Sequence, residues 1–420
     1  MLAISRYGAR VIPNTQQIIA GCRGRGELVR GPHIAAFERA LAEYLGAGRA
    51  VTASYGRMAF YYILKALDLP PRSEVIFPAL TFWVVPEIAR AAGLKPVFAD
   101  IDPQTFNIDP GAFARAITPQ TRAVVPTHLY GLPCDMDAVL DVARRHGLVI
   151  IEDCAHALGA RYRGQPVGTF GDASFFSFQL LKPLNSYGGG AAFTGNPALA
   201  ERVARLAAAE PWPSAKRVER RLLMGRLQRV LMGPKVFTFT AFPILWAASF
   251  FKARPDVYLW EPIRPLLTLP DRYTERYSNV QAAIALESLK RLDQWTAATQ
   301  AHARIVDEAL GELPGVARPN EPPGHAHVYY QYCVYVQDRD TLVRRCIRRG
   351  VDIETLHADL CSSLELFKAG DRAAPGAEKA SRAVQLPIYS GLTDEQVRSM
   401  AARVRRALGH HGAGGDGSRP

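Results

Sequence analysis

The chain has 420 residues, 48% of them apolar and 21% charged, so it can bury a large core, and wholesale disorder or a disulfide-stapled mini-protein is excluded. Its 51 Lys and Arg against 39 Asp and Glu leave a net charge of +12, which suits an acidic ligand, a nucleic acid or an anionic membrane surface. Half of that excess lies between Ser214 and Lys235, where seven basic residues stand against one acid, Glu219.

From residue 50 to 195, short β-rich runs alternate with helical stretches. Strands are predicted at 74–77, 96–100, 123–127, 148–152, 174–178 and 190–194. Helices predicted at 83–92, 109–117 and 135–146 carry apolar residues at helical spacing, and the last opens on Asp135-Met-Asp, acids that favour a helix N-terminus. This rhythm predicts an α/β fold with a mostly parallel central sheet covered by helices. Ligands in such sheets sit beyond the carboxyl ends of the strands, which points to 78–83, His128, 153–156 and 177–182.

Residues 201–270 break the rhythm with Pro-Trp-Pro at 211–213, the basic stretch, and then sixteen residues without a charge, 236–251; they read as an insertion. A long helical pattern resumes over 273–310. A Pro/Gly-rich loop at 314–324, a strand at 328–336 and helices at 341–349 and 395–408 then predict a smaller C-terminal α+β domain. The expected organisation is a large domain over 1–200, the insertion over 201–270, the long helix and small domain over 271–408, and a disordered tail over 409–420. A formal Gly-x-Gly-x-x-Gly in the tail (Gly412, Gly414, Gly417) has no strand before it and no helix after it, so it is not read as a dinucleotide site.

Six cysteines without any Cys-x-x-Cys pair argue against a zinc module or a disulfide framework; no metal is expected, and a reducing, cytoplasmic setting fits. The first residues lack the layout of a signal peptide, and no run reaches the ~20 apolar residues that span a bilayer.

The most informative pair is Asp153, directly after the buried-strand run Val149-Ile-Ile-Glu, and Lys182, after the apolar run Phe175-Phe-Ser-Phe. A carboxylate and an amine at the ends of nearby strands, with Gly188-Gly-Gly close by, suit pyridoxal phosphate chemistry. There a lysine forms a Schiff base with the cofactor and an acid holds the pyridine nitrogen protonated. Taken alone, an Asp at a strand end is more often a cap, and a lone Lys is more often solvated surface.

The stretch Glu152-Asp-Cys-Ala-His-Ala-Leu-Gly-Ala, followed by Gly171-Asp-Ala-Ser-Phe-Phe-Ser-Phe-Gln-Leu-Leu-Lys, resembles the DegT/DnrJ-type sugar aminotransferases, which are fold type I pyridoxal phosphate enzymes. The similarity continues in order through Phe77-Pro-Ala-Leu-Thr-Phe, Ala99-Asp-Ile-Asp-Pro, Pro126-Thr-His-Leu-Tyr-Gly, Arg276-Tyr-Ser-Asn-Val-Gln and Leu386-Pro-Ile-Tyr-Ser-Gly. It covers nearly the whole chain apart from 201–270 and the tail.

The resemblance implies that Lys182 forms the Schiff base and shuttles the proton, that Asp153 pairs with the pyridine nitrogen, and that His156 bonds the phenolic oxygen. It further implies that Ala155 packs under the cofactor ring and Phe82 on its other face. Gly56, in Ser54-Tyr-Gly, would let a helix N-terminus meet the phosphate, with Ser177 as another donor. Arg57 stands where a small hydroxyl residue is usual, and either contacts the phosphate or points to solvent. The segment 271–279 resembles one that reaches the neighbouring subunit's cofactor, with Thr274 in place of the usual Asn and Arg276 kept; a homodimer with shared active sites follows. The plain alternatives are a core His156, a core Phe82, a strand-end hydroxyl at Ser177 and a surface Arg276. Tyr187-Gly-Gly-Gly also departs from the common Gly-Glu-Gly-Gly.

The implied activity is transfer of an amino group, from glutamate or glutamine, to a keto-sugar that is nucleotide-linked or lipid-linked. Sugar dehydration on the same cofactor is disfavoured by the presence of Lys182, and a non-catalytic regulator or peripheral membrane protein is the remaining rival. For the insertion, 236–251 as a helix would reach only ~24 Å of a ~30 Å hydrocarbon core, with Pro243 interrupting it. Its aromatic residues behind seven basic ones fit a segment, 214–252, lying on an anionic membrane; a cap over the active site or extra dimer interface fits the same residues. Arg226 and Arg229 fall among apolar positions of a helical projection, against the membrane reading. Nucleic acid is not an expected partner.

Overall fold

Seven strands form the central sheet: β1 (Arg49–Ala53), β2 (Glu74–Pro78), β3 (Lys95–Ala99), β4 (Thr121–Val124), β5 (Val149–Asp153), β6 (Ala173–Ser177) and β7 (Gly190–Thr194). Their order is β1-β7-β6-β5-β4-β2-β3. They belong to a computed structural model that describes residues 2–8, 10, 12–251, 263–266, 268–311, 313, 315–318, 320–355, 358–370 and 373–409. Strands β2 to β6 run parallel, and β7 is antiparallel to β6 and to β1. The parallel strands are covered on both faces, which is why they read as unbroken apolar runs.

Register brings the chemistry to one edge. Asp153, the last residue of β5, lies opposite Phe175 of β6, two residues before Ser177, and Ser177 lies opposite Gly190 at the start of β7. Ala53, the last residue of β1, is also opposite Gly190, and the chain then turns through Ser54 and Tyr55 into the helix Gly56–Leu67. The carboxyl ends of β1, β5 and β6 therefore open side by side, as the α/β rhythm predicts.

The predicted covering helices form at Val84–Ala91, Pro110–Ala116 and Met136–Arg145. The last two are capped by Asp109 and Asp135, whose carboxylates accept the Ala112 and Ala138 N–H groups at 2.5 and 3.2 Å. Strand β1 escapes the sequence pattern because Arg-Ala-Val-Thr-Ala is short and carries two alanines, poor strand formers.

The helical pattern over 273–310 is two helices, Asn279–Leu289 and Leu292–Leu310, and 273–278 lie outside them. The break turns the second helix onto the C-terminal helix Asp394–Leu408. The expected strand 328–336 is only Tyr332–Val336, because Tyr329 adopts φ +48°, a left-handed conformation that ends an extended run. It pairs with Val316–Ala317 and Val384–Leu386 over a second apolar core that includes Leu342, Val343, Met400 and Val404.

The apolar stretch 236–251 is likewise not one helix. The segment forms helices Ala215–Met232, Pro234–Phe239 and Ala241–Ala248, interrupted at Gly233 and Thr240. Pro243 sits in the first turn of the third, where its missing N–H costs nothing. Among the described residues no helix is long and apolar enough to cross a membrane. Lys252 and the tail from 410 lie outside the described residues.

The Ala215–Met232 helix lies on the large sheet's side through Val218, Leu222 and Gly225, against Tyr187, Val280 and Ile284. A Cβ on Gly225 would come within 2.2 Å of Tyr187 Cδ1, so only glycine lets the helix rest on that ring. Tyr187 itself holds φ +59°. The aromatic residue that departs from the common glycine-rich sequence is thus matched by a glycine in the insertion. The two shorter helices reach the second core, where Phe237 and Leu245 are buried.

Candidate active site

The Gly56–Leu67 helix starts hard against the ends of β6 and β7. A Cβ on Gly56 would stand 2.9 Å from the Phe176 carbonyl oxygen, and one on Gly190 would stand 2.3 Å from the Gly56 nitrogen. Tyr55, at the N-cap, makes no side-chain capping bond, and Gly56 and the half-buried Ser177 line the same cavity, so this helix end is suited to an anion. Ser54 Oγ is committed to the Tyr273 carbonyl oxygen.

Lys182 follows β6 in a tight turn, its N–H donating to the Gln179 carbonyl at 3.0 Å. Its Nζ lies 4.8 Å from the centroid of the Tyr330 ring, a cation–π distance. Tyr330 in turn stacks on His156 at 4.3 Å between centroids. His156 Nδ1 accepts the Tyr130 N–H at 3.4 Å, which assigns the proton of a neutral ring to Nε2. Asp153 is buried and accepts the Ala155 N–H at 2.9 Å.

Burial pushes the Asp153 carboxyl up to about 6, against the pull of the Ala155 N–H, Lys182 and His128. Burial also pulls the Lys182 ammonium down to about 7; Asp153 opposes this and Arg57 adds to it. An acid and an amine whose ordinary values lie far apart are thus brought together near neutrality, where protons exchange easily.

Gly56, Arg57, Phe82, Asp153, Ala155, His156, Ser177 and Lys182 all line one cavity of about 460 Å³. Arg57 does not point to solvent: it lies 4.9, 5.5 and 5.7 Å from the rings of Tyr273, Tyr55 and Phe82 and donates to the Tyr273 hydroxyl. Thr274 and Arg276 do not enter the cavity. Thr274 donates to the Asp271 carbonyl oxygen, and Arg276 lies 3.9 Å over the Trp212 ring. His128 is buried beneath the site rather than in it, bonded to Glu152 at 3.0 Å. Glu152 also accepts the N–H groups of Gly168, Phe170 and Gly171, so the His128–Glu152–Cys154 cluster is a support for β5.

Sequence reasoning missed Tyr330, and also Gln228 and Met232 of the insertion, which line the same cavity. The hydroxyls of two further lining residues, Thr81 and Thr127, are buried with no hydrogen-bond partner among the described residues. Such orphans fit a polar ligand. The set matches a phosphorylated aromatic aldehyde: anion-binding donors at one end, an amine for the aldehyde, a carboxylate for a ring nitrogen. A larger cavity of about 710 Å³ beside Asp307 and Arg318 holds no lysine, and those two charges pair with each other.

The sequence model of the DegT/DnrJ/EryC1/StrS aminotransferase family matches residues 12–219 and 272–405. The pleiotropic regulatory protein of Geobacillus stearothermophilus is 30% identical over 423 residues, 98% of each chain. The dTDP-3-amino-3,4,6-trideoxy-alpha-D-glucose transaminase of Streptomyces venezuelae is 31% identical over 406 residues, 94% of this chain and 93% of its own. The crystal structure of S. venezuelae DesV superposes with a TM-score of 0.75 at 30% identity, covering 94% of both chains.

Proposed function

The chain belongs to the DegT/DnrJ/EryC1/StrS aminotransferase family, and we propose that it moves an amino group from glutamate, or glutamine, to a keto-sugar carried on a nucleotide or a lipid. It is a pyridoxal phosphate-dependent aminotransferase. The observation that carries the aminotransferase reading is the meeting of Lys182 and Asp153 in one cavity, each displaced by burial toward neutrality.

Bound in that cavity, pyridoxal phosphate supplies an aldehyde that takes up nitrogen and a ring that draws electrons from the reacting carbon. Lys182 would hold the aldehyde and carry the proton at the carbon that gains or loses the amino group. Asp153 would keep the ring nitrogen protonated. His156 would donate to the phenolic oxygen, and Ala155 and Phe82 would pack against the ring. The N-terminus at Gly56, with Ser177 and Arg57, would hold the phosphate. Thr274 and Arg276, which face away from their own cavity, serve the partner's site in a homodimer with shared active sites. Six free, buried cysteines fit a cytoplasmic setting.

A regulatory role on the same fold has one specific support, the name of the Geobacillus relative. The visible spectrum separates the two. The purified protein with pyridoxal phosphate is expected to show a bound-cofactor band that glutamate converts and a keto-sugar restores. A band indifferent to amino donors, or no band, overturns the aminotransferase reading; restoration by nucleotide-linked keto-sugars or only by lipid-linked ones identifies the carrier.

The state of Lys182 sets a pH dependence. The neutral amine is the form that attacks an aldehyde, and its share grows as pH rises through about 7. The rate at which the cofactor-free protein captures pyridoxal phosphate should therefore climb to a plateau by about pH 8, whereas an ordinary lysine would still be gaining at about pH 10. Absorbance-monitored mixing over this range checks it.

A further inference from the structure

Ten of the twelve exposed large apolar side chains among the described residues lie between Leu223 and Phe251. Phe251 is 90% exposed, Phe239 77%, Ile244 67% and Leu223 61%. A concentration of this kind on one segment marks a contact surface rather than scattered surface residues.

The Ala215–Met232 helix explains how the surface is made. Its inner face, Val218, Leu222 and Gly225, is buried against the protein. A second apolar row at i, i+4 and i+7, Leu223, Leu227 and Val230, faces outward. A helix apolar on two faces has two partners, and the described residues supply only the inner one. Arg226 falls on the border between the faces and Arg229 is half-buried, so neither charge interrupts the outer row.

The charges select the occupant. Lys216, Arg220, Arg226 and Lys235 are exposed on the same segment. From Arg220 to Phe251 there is no acid, and Glu219 is already paired with Arg23 at 3.1 Å. A second copy of the same face would bring like charges together, whereas an anionic lipid surface complements them and accepts the aromatic side chains at the headgroup boundary. The shorter helices are held to the body by Arg348, which donates to the Ser249 carbonyl oxygen at 2.9 Å and lies 4.1 Å over the Phe250 ring, so the face is displayed on a fixed base.

We infer that residues 214–251 dock the enzyme on an anionic phospholipid bilayer through this aromatic and basic face. Gln228 and Met232 of the same helix line the active-site cavity, so docking sets the cavity wall close to the lipid surface.

The test is flotation of the full-length, cofactor-loaded protein with phosphatidylcholine vesicles, with and without phosphatidylglycerol. Binding is expected with phosphatidylglycerol, and to weaken as salt is raised. The charge reversals Arg220→Glu with Lys235→Glu should lower it by more than ~10-fold, as should Phe239→Ser with Phe251→Ser. Both variants should keep the wild-type cofactor band, which shows that they are folded. No flotation with either vesicle, or flotation unchanged by both variants, overturns the proposal. So does a Phe239→Ser, Phe251→Ser variant that changes only the oligomeric state in gel filtration, since the face would then bind a second copy.

Discussion

Lys182→Ala is expected to lower kcat by at least ~10²–10⁴-fold, the range for losing a positioned acid–base group, and to leave the cofactor band unchanged when glutamate is added. Among the described residues lining the cavity, Lys182 is the one lysine, so no neighbouring amine can take over. Arg57 lines it too, but a guanidinium stays protonated and cannot accept the proton. The loss should be in chemistry rather than folding. Burial lowers the Lys182 pKa from its unfolded value to about 7, so between those two values the unfolded chain binds more protons and stability rises with pH. Alanine removes that penalty, and the cofactor-free variant should melt no lower than wild type near pH 7. Partial rescue of turnover by an added small primary amine would tie the loss to the missing amine; a variant with near wild-type turnover would remove Lys182 from the reaction.

The site could be read from the sequence to the extent that backbone geometry determines it. Asp153 and Ser177 end strands whose apolar runs are unmistakable, and Gly56 opens a helix where a side chain would strike β6, so their convergence follows from the parallel order of β5 and β6 and the return of β7. Tyr330 was hidden because its neighbours alternate like a strand; the left-handed turn at Tyr329 that aims the ring at Lys182 has no glycine or asparagine to announce it. Gln228 and Met232 come from a helix whose place over the cavity depends on the Tyr187–Gly225 contact, made across about forty residues of chain and invisible to any local pattern. That helix also defeats a simple projection, since two opposed apolar faces leave no single stripe to find.

The two departures from the family's usual residues are coupled to this architecture. Tyr187 occupies a glycine-rich turn and is covered by the insertion, and Arg57 fills the space among Tyr55, Phe82 and Tyr273. Arg57 lines the cavity itself, whereas Tyr187 lies outside it and supports the insertion helix whose Gln228 and Met232 line it. Arg57, Gln228 and Met232 are this chain's own additions to the cavity wall, which is where specificity for a particular keto-sugar is to be sought.

Asp153→Asn separates stability from function. The amide keeps the oxygen that accepts the Ala155 N–H, and its shape is unchanged. Because burial raises the Asp153 carboxyl to about 6, the folded chain without cofactor binds more protons than the unfolded one from the ordinary aspartate value up to that pH, and stability falls as pH rises through the window. Near pH 7 the carboxylate is ionised at a cost that the neutral amide avoids, so the variant should melt at the wild-type temperature or above it. Activity should move the other way. An amide cannot hold a protonated ring nitrogen by charge, and removing one fixed electrostatic partner of a reacting group typically lowers kcat by ~10²–10³-fold. Melting curves and glutamate half-reaction rates on the same preparations check both halves. Unchanged rates would mean that Asp153 is a strand cap and nothing more, while loss of activity together with a lower melting temperature would mean that its carboxylate holds up the fold.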